Sequence, residues 1–432
     1  MQAIEKYIND VRICIHRGAK QIGGSCVEIV CEGKRLIIDY GAPLDADENT
    51  EELPTYVEGL KEGDKSILGV LISHPHKDHY GFINRVSEDI PVYMGKTACN
   101  ILDTFSTFVP EHRVLHKNTH IYKDRMPLIL AHTSNGPIRV TPFLVDHSAY
   151  DSYAFLIEIG GKRILYSGDF RFHGRKGILM NHLMREKAIH NVDLLLLEGS
   201  SLGRLNLDTK FPQEQEIEEK FVETFKNTAG LALVHSSSQN IDRIVSIYHA
   251  CCRTGRILLL DLYSACILKE CFSGLKNRAL FKNAALYVPE RQRYFIKNNF
   301  LFNLLHDYSK PRIYRESISA SKNKYVLLFR PLHTLDFKRA PKLLSGANYI
   351  YSMWEGYWSD NKYAQVRKFV EKNNLNKINI HTSGHASVAD LKTFVKSIGS
   401  PRITPIHTFQ PERYSEIFQN VEKHSDDEWF SL

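Results

Sequence analysis

The 432-residue chain has no uninterrupted apolar stretch near the roughly 20 residues that cross a bilayer, which argues against a membrane-spanning protein. Its opening, MQAIEKYINDVRICIH, lacks the charged-then-apolar layout of a secretory signal. Eight cysteines include no C-x-x-C pair, so neither a zinc knuckle nor a disulfide framework is expected in a chain this long. Adjacent Cys251 and Cys252 fit one helix better than a bond to each other. A reducing cytoplasm is the expected setting. Internal repeats, low-complexity linkers and coiled-coil heptads are also missing. What remains is ordinary globular composition, 43% hydrophobic and 24% charged, with length enough for two cores.

Charge is modest overall, +7, but unevenly placed. Residues 281–345 hold 13 Lys/Arg against 4 Asp/Glu, an excess of +9 that leaves the remainder near −2. Such a stretch is either a solvated face or a surface for a polyanion. RICIHRG, GSCVEIVCEG and KRLIIDYG read as strands punctuated by glycine, and SYAFLIEIGGKRILYSGDF as a hairpin turned at Gly160-Gly161. VDLLLLEGS has the continuous apolar run of a strand buried on both faces. Beyond Leu205 helices alternate with strands: KFPQEQEIEEKFVETFKNT, GLALVHS, SQNIDRIVSIYHACC, RILLLD, YVLLF and ANYIYSM. That alternation predicts a parallel α/β domain inserted into a first domain that is split in sequence. The expected boundaries are 1–204 and 371–432 for the split domain and 205–370 for the insert.

The chemistry gathers at strand ends. In LGVLISHPHKDHYGF an apolar run stops at His74, His76, Asp78 and His79. Zinc and similar ions take imidazole nitrogen and carboxylate oxygen, and four ligand types in six residues seldom arise from an ordinary polar loop. His147 after PFLV, Asp169 after ILYS and His407 after ITPI end strands in the same way. Singly each is more often a structural residue; together with the first cluster they make seven ligands, enough for two metals. Gly168 lets the chain turn tightly before Asp169.

HPHKDH, HSAYDS and YSGDF, preceded by LIIDYGAPL, resemble the successive motifs of the metallo-β-lactamase superfamily. LLLLEGS, HTSGHAS and TPIHTFQ resemble the further motifs of its β-CASP nucleases, the branch containing ribonuclease J and the endonuclease of pre-mRNA 3′ ends. DLYSACILK is similar to a segment of their cap domain. The resemblance implies an α/β fold: a metallo-β-lactamase αββα sandwich with an inserted α/β β-CASP cap. It implies two zinc ions, with manganese as the alternative that His/Asp sites also accept. His74, His76 and His147 would hold one, Asp78, His79 and His407 the other, with Asp169 bridging. Asp39 would steady the histidines without touching metal. Asp78, His385 and Glu198 make the catalytic set: hydroxide held between ions about 3.5–4 Å apart attacks a phosphodiester, and His385, oriented by Glu198, protonates the departing oxygen.

The same resemblance makes single-stranded RNA the implied substrate, since a histidine at the last motif goes with RNA cleavage. His381, Ser383, Gly384 and Arg243 are its implied phosphate contacts. In the basic stretch Arg291, Arg293, Lys297, Lys310, Arg312 and Arg315 are expected to form an RNA-binding surface. Most of the interleaved aromatics (Tyr287, Tyr294, Phe295, Phe300, Phe302, Tyr308, Tyr314) are expected in the core. Two departures from the family pattern are SSSQNIDR after GLALVH, where only Arg243 matches, and TFQ after the final histidine. A compact member without the usual C-terminal domain is expected, and a homodimer is left open. Alternative readings are a single-stranded DNA nuclease of the same chemistry, a thioester or lactone hydrolase on the same scaffold, and a catalytically idle RNA-binding subunit. The first is separated by substrate, the second by its lack of need for a cap, and the third by the loss of ligands it would predict.

Overall fold

Nineteen short strands run through the described residues. The structure, a computed structural model, describes residues 10–44, 57–109, 116–204, 208–272, 282–306 and 312–432. In order the strands are β1 (Arg12–Arg17), β2 (Cys26–Cys31), β3 (Lys34–Ile38), β4 (Ile67–Leu71), β5 (Val92–Gly95), β6 (Thr119–Tyr122), β7 (Leu128–Thr133), β8 (Gly136–Val145), β9 (Ser152–Ile159), β10 (Lys162–Tyr166) and β11 (Leu194–Glu198). There follow β12 (Ala232–His235), β13 (Ile257–Leu260), β14 (Ala284–Leu286), β15 (Tyr325–Phe329), β16 (Asn348–Tyr351), β17 (Asn376–Asn379), β18 (Arg402–Ile406) and β19 (Trp429–Ser431). They divide between two units, one built from the chain up to Phe211 and from Gly384 onward, the other from Pro212–Ser383.

The first unit is a two-sheet sandwich flanked by helices, the layering expected from the sequence. One sheet has the order β19-β1-β2-β3-β4-β5-β6 and the other β18-β11-β10-β9-β8-β7. Strand alternation sends successive side chains to opposite faces, and the layers follow from it. Leu194 and Leu196 of β11 join Ile13, Ile29, Phe155 and Ile164 in the core enclosed by the sheets. Leu195 and Leu197 point the other way, to a layer with Leu391 and Phe394 of the helix Val388–Ser397 and Met180 of the helix Ile178–Met184. On the outer face of the first sheet Ile37, Val70 and Val92 pack with Leu102 of the helix Lys96–Phe108. The continuous LLLL run is thus explained by two covered faces; each such buried leucine contributes about 1.5–3 kcal/mol. The β9–β10 hairpin turns at Gly160-Gly161, whose φ of 56° and 78° match a two-residue turn of the primed type.

The second unit is one parallel sheet, β14-β13-β15-β12-β16-β17, every neighbouring pair parallel. Leu233, Leu259, Leu327, Phe329 and Tyr349 face a cluster with Phe337, Val366 and Phe369, while Ala232, Val234, Leu258, Val326 and Ile350 on the alternate positions are buried as well. The unit boundary falls at Ser383/Gly384, where the sequence reading drew it at 370/371. The cause is β17: NKIN pairs in parallel with β16, so the segment before HTSGH extends the second unit's sheet as its edge strand.

Aromatics of the basic stretch depart from expectation too. Tyr287 is buried, but Tyr294, Phe300, Phe302 and Tyr314 are 57%, 84%, 56% and 59% exposed. The helix there, Glu290–Asn298, is too short to bury the aromatic spacing beyond it: the chain leaves helical geometry at Asn299, and Phe300 takes a left-handed φ of 55°. Tyr308 lies outside the described residues. No helix among the described residues is long and apolar enough to cross a membrane.

Candidate metal centre

Four strands of the first unit, β4, β8, β10 and β18, deliver polar residues just past their ends. After β4 the chain crosses Ser73-His74-Pro75-His76 and enters the short helix Lys77–Tyr80, carrying Asp78 and His79. Close passage of backbone makes this possible: a Cβ on Gly41 would stand 1.7 Å from the Asp78 carbonyl oxygen. Gly168, at φ 55°, lets β10 turn into Asp169; a Cβ there would meet the Tyr153 carbonyl oxygen at 2.5 Å. Asp39 and His407 hold left-handed backbone, φ 58° and 50°, which L-residues adopt only when surroundings impose it.

All seven expected ligands meet. His74, His76 and His147 bring ligand atoms within 4.8 Å of one another, as do Asp78, His79 and His407, and His74 and His79 each do so with Asp169. His76 Nδ1 lies 3.2 Å from His147 Nε2, and His79 Nε2 lies 3.2 Å from Asp169 Oδ2. Asp169 Oδ1 is 3.2 Å from His407 Nδ1, and Asp78 Oδ2 is 3.3 Å from His407 Nε2.

The orienting bonds fix which nitrogen faces inward. A carbonyl oxygen can only accept, so His147 Nδ1, 2.5 Å from Gly384 O, carries the proton and Nε2 presents its lone pair. His79 Nδ1 donates likewise to Asp39 Oδ2 at 2.7 Å. Asp39 is itself held by the Ser73 amide, the Ser73 hydroxyl and the Tyr166 hydroxyl at 2.7, 2.8 and 2.7 Å. Ser73, Tyr166 and Ser200, whose Oγ is 2.9 Å from His407 Nδ1, were missed by the sequence reading. Their only signal was a polar residue at or just past the end of an apolar strand.

Electrostatics divide the histidines. Burial, reinforced by the neighbouring imidazoles, pushes His74 and His147 well below the ordinary imidazole value. Burial likewise brings His76 down to about 4. Burial also opposes charge on His79 and His407, but carboxylates outweigh it: Asp169, Asp39 and Asp78 hold His79 well above the ordinary value, and Asp169 with Asp78 brings His407 up to about 9. Asp78 and Asp169 are conversely held well below the usual carboxylate range, despite burial, by His79 and His407.

His74 Nε2 and His79 Nε2 are fully buried with no hydrogen-bond partner, an arrangement costing about 1–3 kcal/mol per group unless something else satisfies them. Both face Asp169 Oδ2, at 3.7 and 3.2 Å, outside bonding geometry. Five imidazoles gathered around two carboxylates, with the Nε2 atoms of His74 and His79 unsatisfied, fit divalent cations of the zinc or manganese class, which would displace the protons on His79 and His407.

Beside this cluster His385 Nδ1 sits 3.4 Å from Glu198 Oε2 and 3.8 Å from Asp169 Oδ2. Glu198 is fixed by the Ser200 amide at 3.0 Å. Gly384 leaves no room for a side chain: its Cβ would come within 2.5 Å of Ser148 Oγ.

His381, Ser383 and Arg243 fall in the second unit. Arg243, expected on a substrate phosphate, is fully buried instead. Its Nε donates to Glu214 Oε1 at 2.7 Å and its Nη1 to Ser352 Oγ at 2.5 Å, with His381 Nδ1 3.5 Å away. Arg293 and Arg315 line two adjoining concavities, with Arg312 and Tyr314 on one and Tyr294 and Lys297 on the other. Arg291 is exposed on the same helix as Arg293, and Lys310 lies outside the described residues.

The family described as "Beta-lactamase superfamily domain" matches residues 46–226. An RNase J-like protein of Methanocaldococcus jannaschii is 23% identical over 265 residues, 59% of this chain and 58% of that protein. Ribonuclease J of Mycobacterium tuberculosis is 23% identical over 256 residues, 57% of this chain and 43% of its own. The chain thus spans about half the length of these curated relatives. Ribonuclease J of Mycoplasma genitalium is 21% identical over 400 residues, 90% of this chain and 66% of that protein. A solved structure, a protein of unknown function from Enterococcus faecalis, aligns over 98% of this chain and 100% of its own, with a TM-score of 0.73 at 20% identity. That likeness is one of fold.

Proposed function

From the premise that the chain is a metallo-β-lactamase-superfamily protein resembling ribonuclease J, we propose that it is a metal-dependent ribonuclease with a β-CASP cap as its second unit. The observation that carries this reading is the convergence of seven separate ligand residues with two buried imidazole nitrogens unsatisfied. His74, His76 and His147 hold one cation, Asp78, His79 and His407 a second, and Asp169 is shared. Divalent cations held there supply Lewis-acid stabilisation of the charge that builds on a phosphodiester under attack and lower the pKa of water at the site.

The chain's own residues do the rest. Asp39 keeps His79 Nε2 turned inward, and the Gly384 carbonyl does the same for His147. As water adds to phosphorus and the P–O bond breaks, His385 gives its proton to the departing oxygen, and Glu198 stabilises the imidazolium that precedes that transfer. His381, Ser383 and the Gly384 backbone are proposed to hold a substrate phosphate. Arg291, Arg293, Lys297, Arg312 and Arg315, with Tyr294 and Tyr314 exposed among them, are proposed to hold single-stranded RNA through phosphate charge and base stacking. The eight cysteines form no disulfide among the described residues, which suits the proposed cytoplasmic setting.

The deciding experiment incubates purified protein with 5′-labelled RNA and DNA of one sequence, with and without chelator. Chelator-sensitive RNA cleavage is expected, and the product ladder separates internal from end-directed cutting. Cleavage of DNA alone would transfer the reading to the DNA nuclease; hydrolysis of neither would end it.

A further inference from the structure

Away from the proposed catalytic cluster, β1 meets the C-terminal segment around a second group of ligand-type side chains. Cys14 and His16 stand two apart on β1 and so share a face. Asp427 is brought to that face by its own backbone, whose N–H donates to the Ile15 carbonyl at 2.9 Å, just before β19 pairs with β1 in the register Cys14–Trp429. His16 Nδ1 lies 3.7 Å from Cys14 Sγ and 3.1 Å from Asp427 Oδ1, and the three ligand atoms all fall within 4.8 Å of one another.

Those separations can be tested against coordination geometry. A tetrahedral zinc ion with a metal–sulfur distance of about 2.3 Å and metal–nitrogen and metal–oxygen distances of about 2.0 Å sets sulfur and nitrogen about 3.5 Å apart, and nitrogen and oxygen about 3.3 Å apart. Both spacings agree with those found to within about 0.2 Å. The other imidazole nitrogen is also arranged as a ligand histidine requires. His16 Nε2 is 2.7 Å from Glu28 Oε2, and Arg35 anchors the second oxygen of that carboxylate. A carboxylate on the far nitrogen fixes the ring and leaves Nδ1 to face the ion. Cys14 and Glu28 are buried, whereas the Asp427 side chain is 73% exposed, so the group opens to solvent on one side, where a fourth ligand could enter.

We propose that Cys14 Sγ, His16 Nδ1 and Asp427 Oδ1 bind a single zinc-class cation, with Glu28 orienting the imidazole. One sulfur, one imidazole and one carboxylate select zinc over magnesium or calcium. The role is structural: Asp427 and His16 are 411 positions apart, so the ion fastens the C-terminal segment to β1. Its binding energy is contributed to folding. The rival state has no metal and keeps the imidazole protonated between Glu28 and Asp427.

Cobalt distinguishes them. Cobalt(II) bound to a thiolate gives an intense near-ultraviolet charge-transfer absorption, and the proposed catalytic ligands include no cysteine, so this band reports the Cys14 group alone. Chelator-stripped full-length protein titrated with Co2+ should develop the band and reach a plateau once the cobalt sites are filled, with the plateau intensity of one thiolate-bound cobalt per chain. Cys14→Ala should abolish it and lower total bound zinc by one equivalent. Asp427→Asn, at an exposed position that folding tolerates, should keep the band but weaken the cobalt affinity that it reads by about tenfold or more. No band in saturated wild-type protein, a band that survives Cys14→Ala, or an unaltered affinity in Asp427→Asn would overturn the assignment. None of these readouts depends on nuclease activity.

Discussion

Both units end parallel strands in polar residues, and the two sets behave differently. In the second unit the strand ends carry His235, Asp261, Arg330 and Ser352, which have protein partners, although Ser236 Oγ and His333 Nε2 beside them are buried without one. Asp261 Oδ2 accepts from Arg330 Nη1 and Gln292 Nε2, each at 2.9 Å, while Ser264 N donates to Oδ1 at 2.8 Å. His235 Nδ1 bonds the Tyr349 hydroxyl, and Ser352 Oγ donates to the Ile380 carbonyl at 2.6 Å. In the first unit's cluster, imidazoles face imidazoles and carboxylates, and the Nε2 atoms of His74 and His79 lack a hydrogen bond. A histidine at a strand end therefore carries no function by itself. What marks a metal centre is a set of such residues that cannot satisfy one another.

The harshest way to break the contrast is to remove His76, whose side-chain hydrogen bond is to another imidazole of the cluster, His147. His76→Ala should reduce RNA cleavage by on the order of 10³-fold or more and lower bound metal, read by product formation and elemental analysis. Retained cleavage would place His76 with the structural histidines of the second unit. His385→Ala should slow turnover by about 10²–10⁴-fold with metal content unchanged, since it donates a proton rather than binding an ion. Metal loss in that variant would make His385 a ligand. Asp39→Asn keeps the shape but weakens the grip on His79, and should lower metal affinity by about 10–100-fold in a competition titration.

The contrast can be sharpened from the other side through His235. Burial, with Arg330 and His333 adding to it, brings its pKa from 6.5 down to about 3. Its folded pKa is below the unfolded one, so the unfolded chain takes up the proton first as pH falls. Stability from neutral His235 is full above about pH 6.5 and is lost by about 1.4 kcal/mol per pH unit down to about pH 3. His235→Phe, in a position surrounded by Phe329, Tyr349 and Tyr351, should flatten that acid limb in denaturant titrations across pH. An acid limb identical to wild type would mean that His235 is not held neutral. The smallest effect is expected at the second unit's surface, where Arg293→Glu with Arg315→Glu should weaken RNA binding and reduce its salt slope by about 1 per phosphate contact removed. Unchanged binding would make the basic stretch a solvated face.

The cluster that the structure brings together was legible because its pattern is local in sequence: HPHKDH packs four His or Asp residues into one loop, and His147, Asp169 and His407 each follow an apolar run that declares a strand. LLLL in β11 was equally plain, since only a doubly covered strand needs it. Orientation was not legible, because Ser73, Tyr166 and Ser200 act through long-range hydrogen bonds that any polar residue could make. Arg243 misled for a related reason: a family position gives the residue, but not that Glu214 and Ser352 already hold it. The aromatic run around Phe300 had helical spacing without a helix long enough to use it, and KINI had a strand pattern that could not say which sheet it would extend.

The central claim is tested most directly by metal removal and return. RNA cleavage by the full-length protein, measured after chelation and again as Zn2+ or Mn2+ is added back, should vanish and then recover with added ion, while His76→Ala stays inactive throughout. Cleavage that persists in the stripped protein, or in His76→Ala, would contradict it.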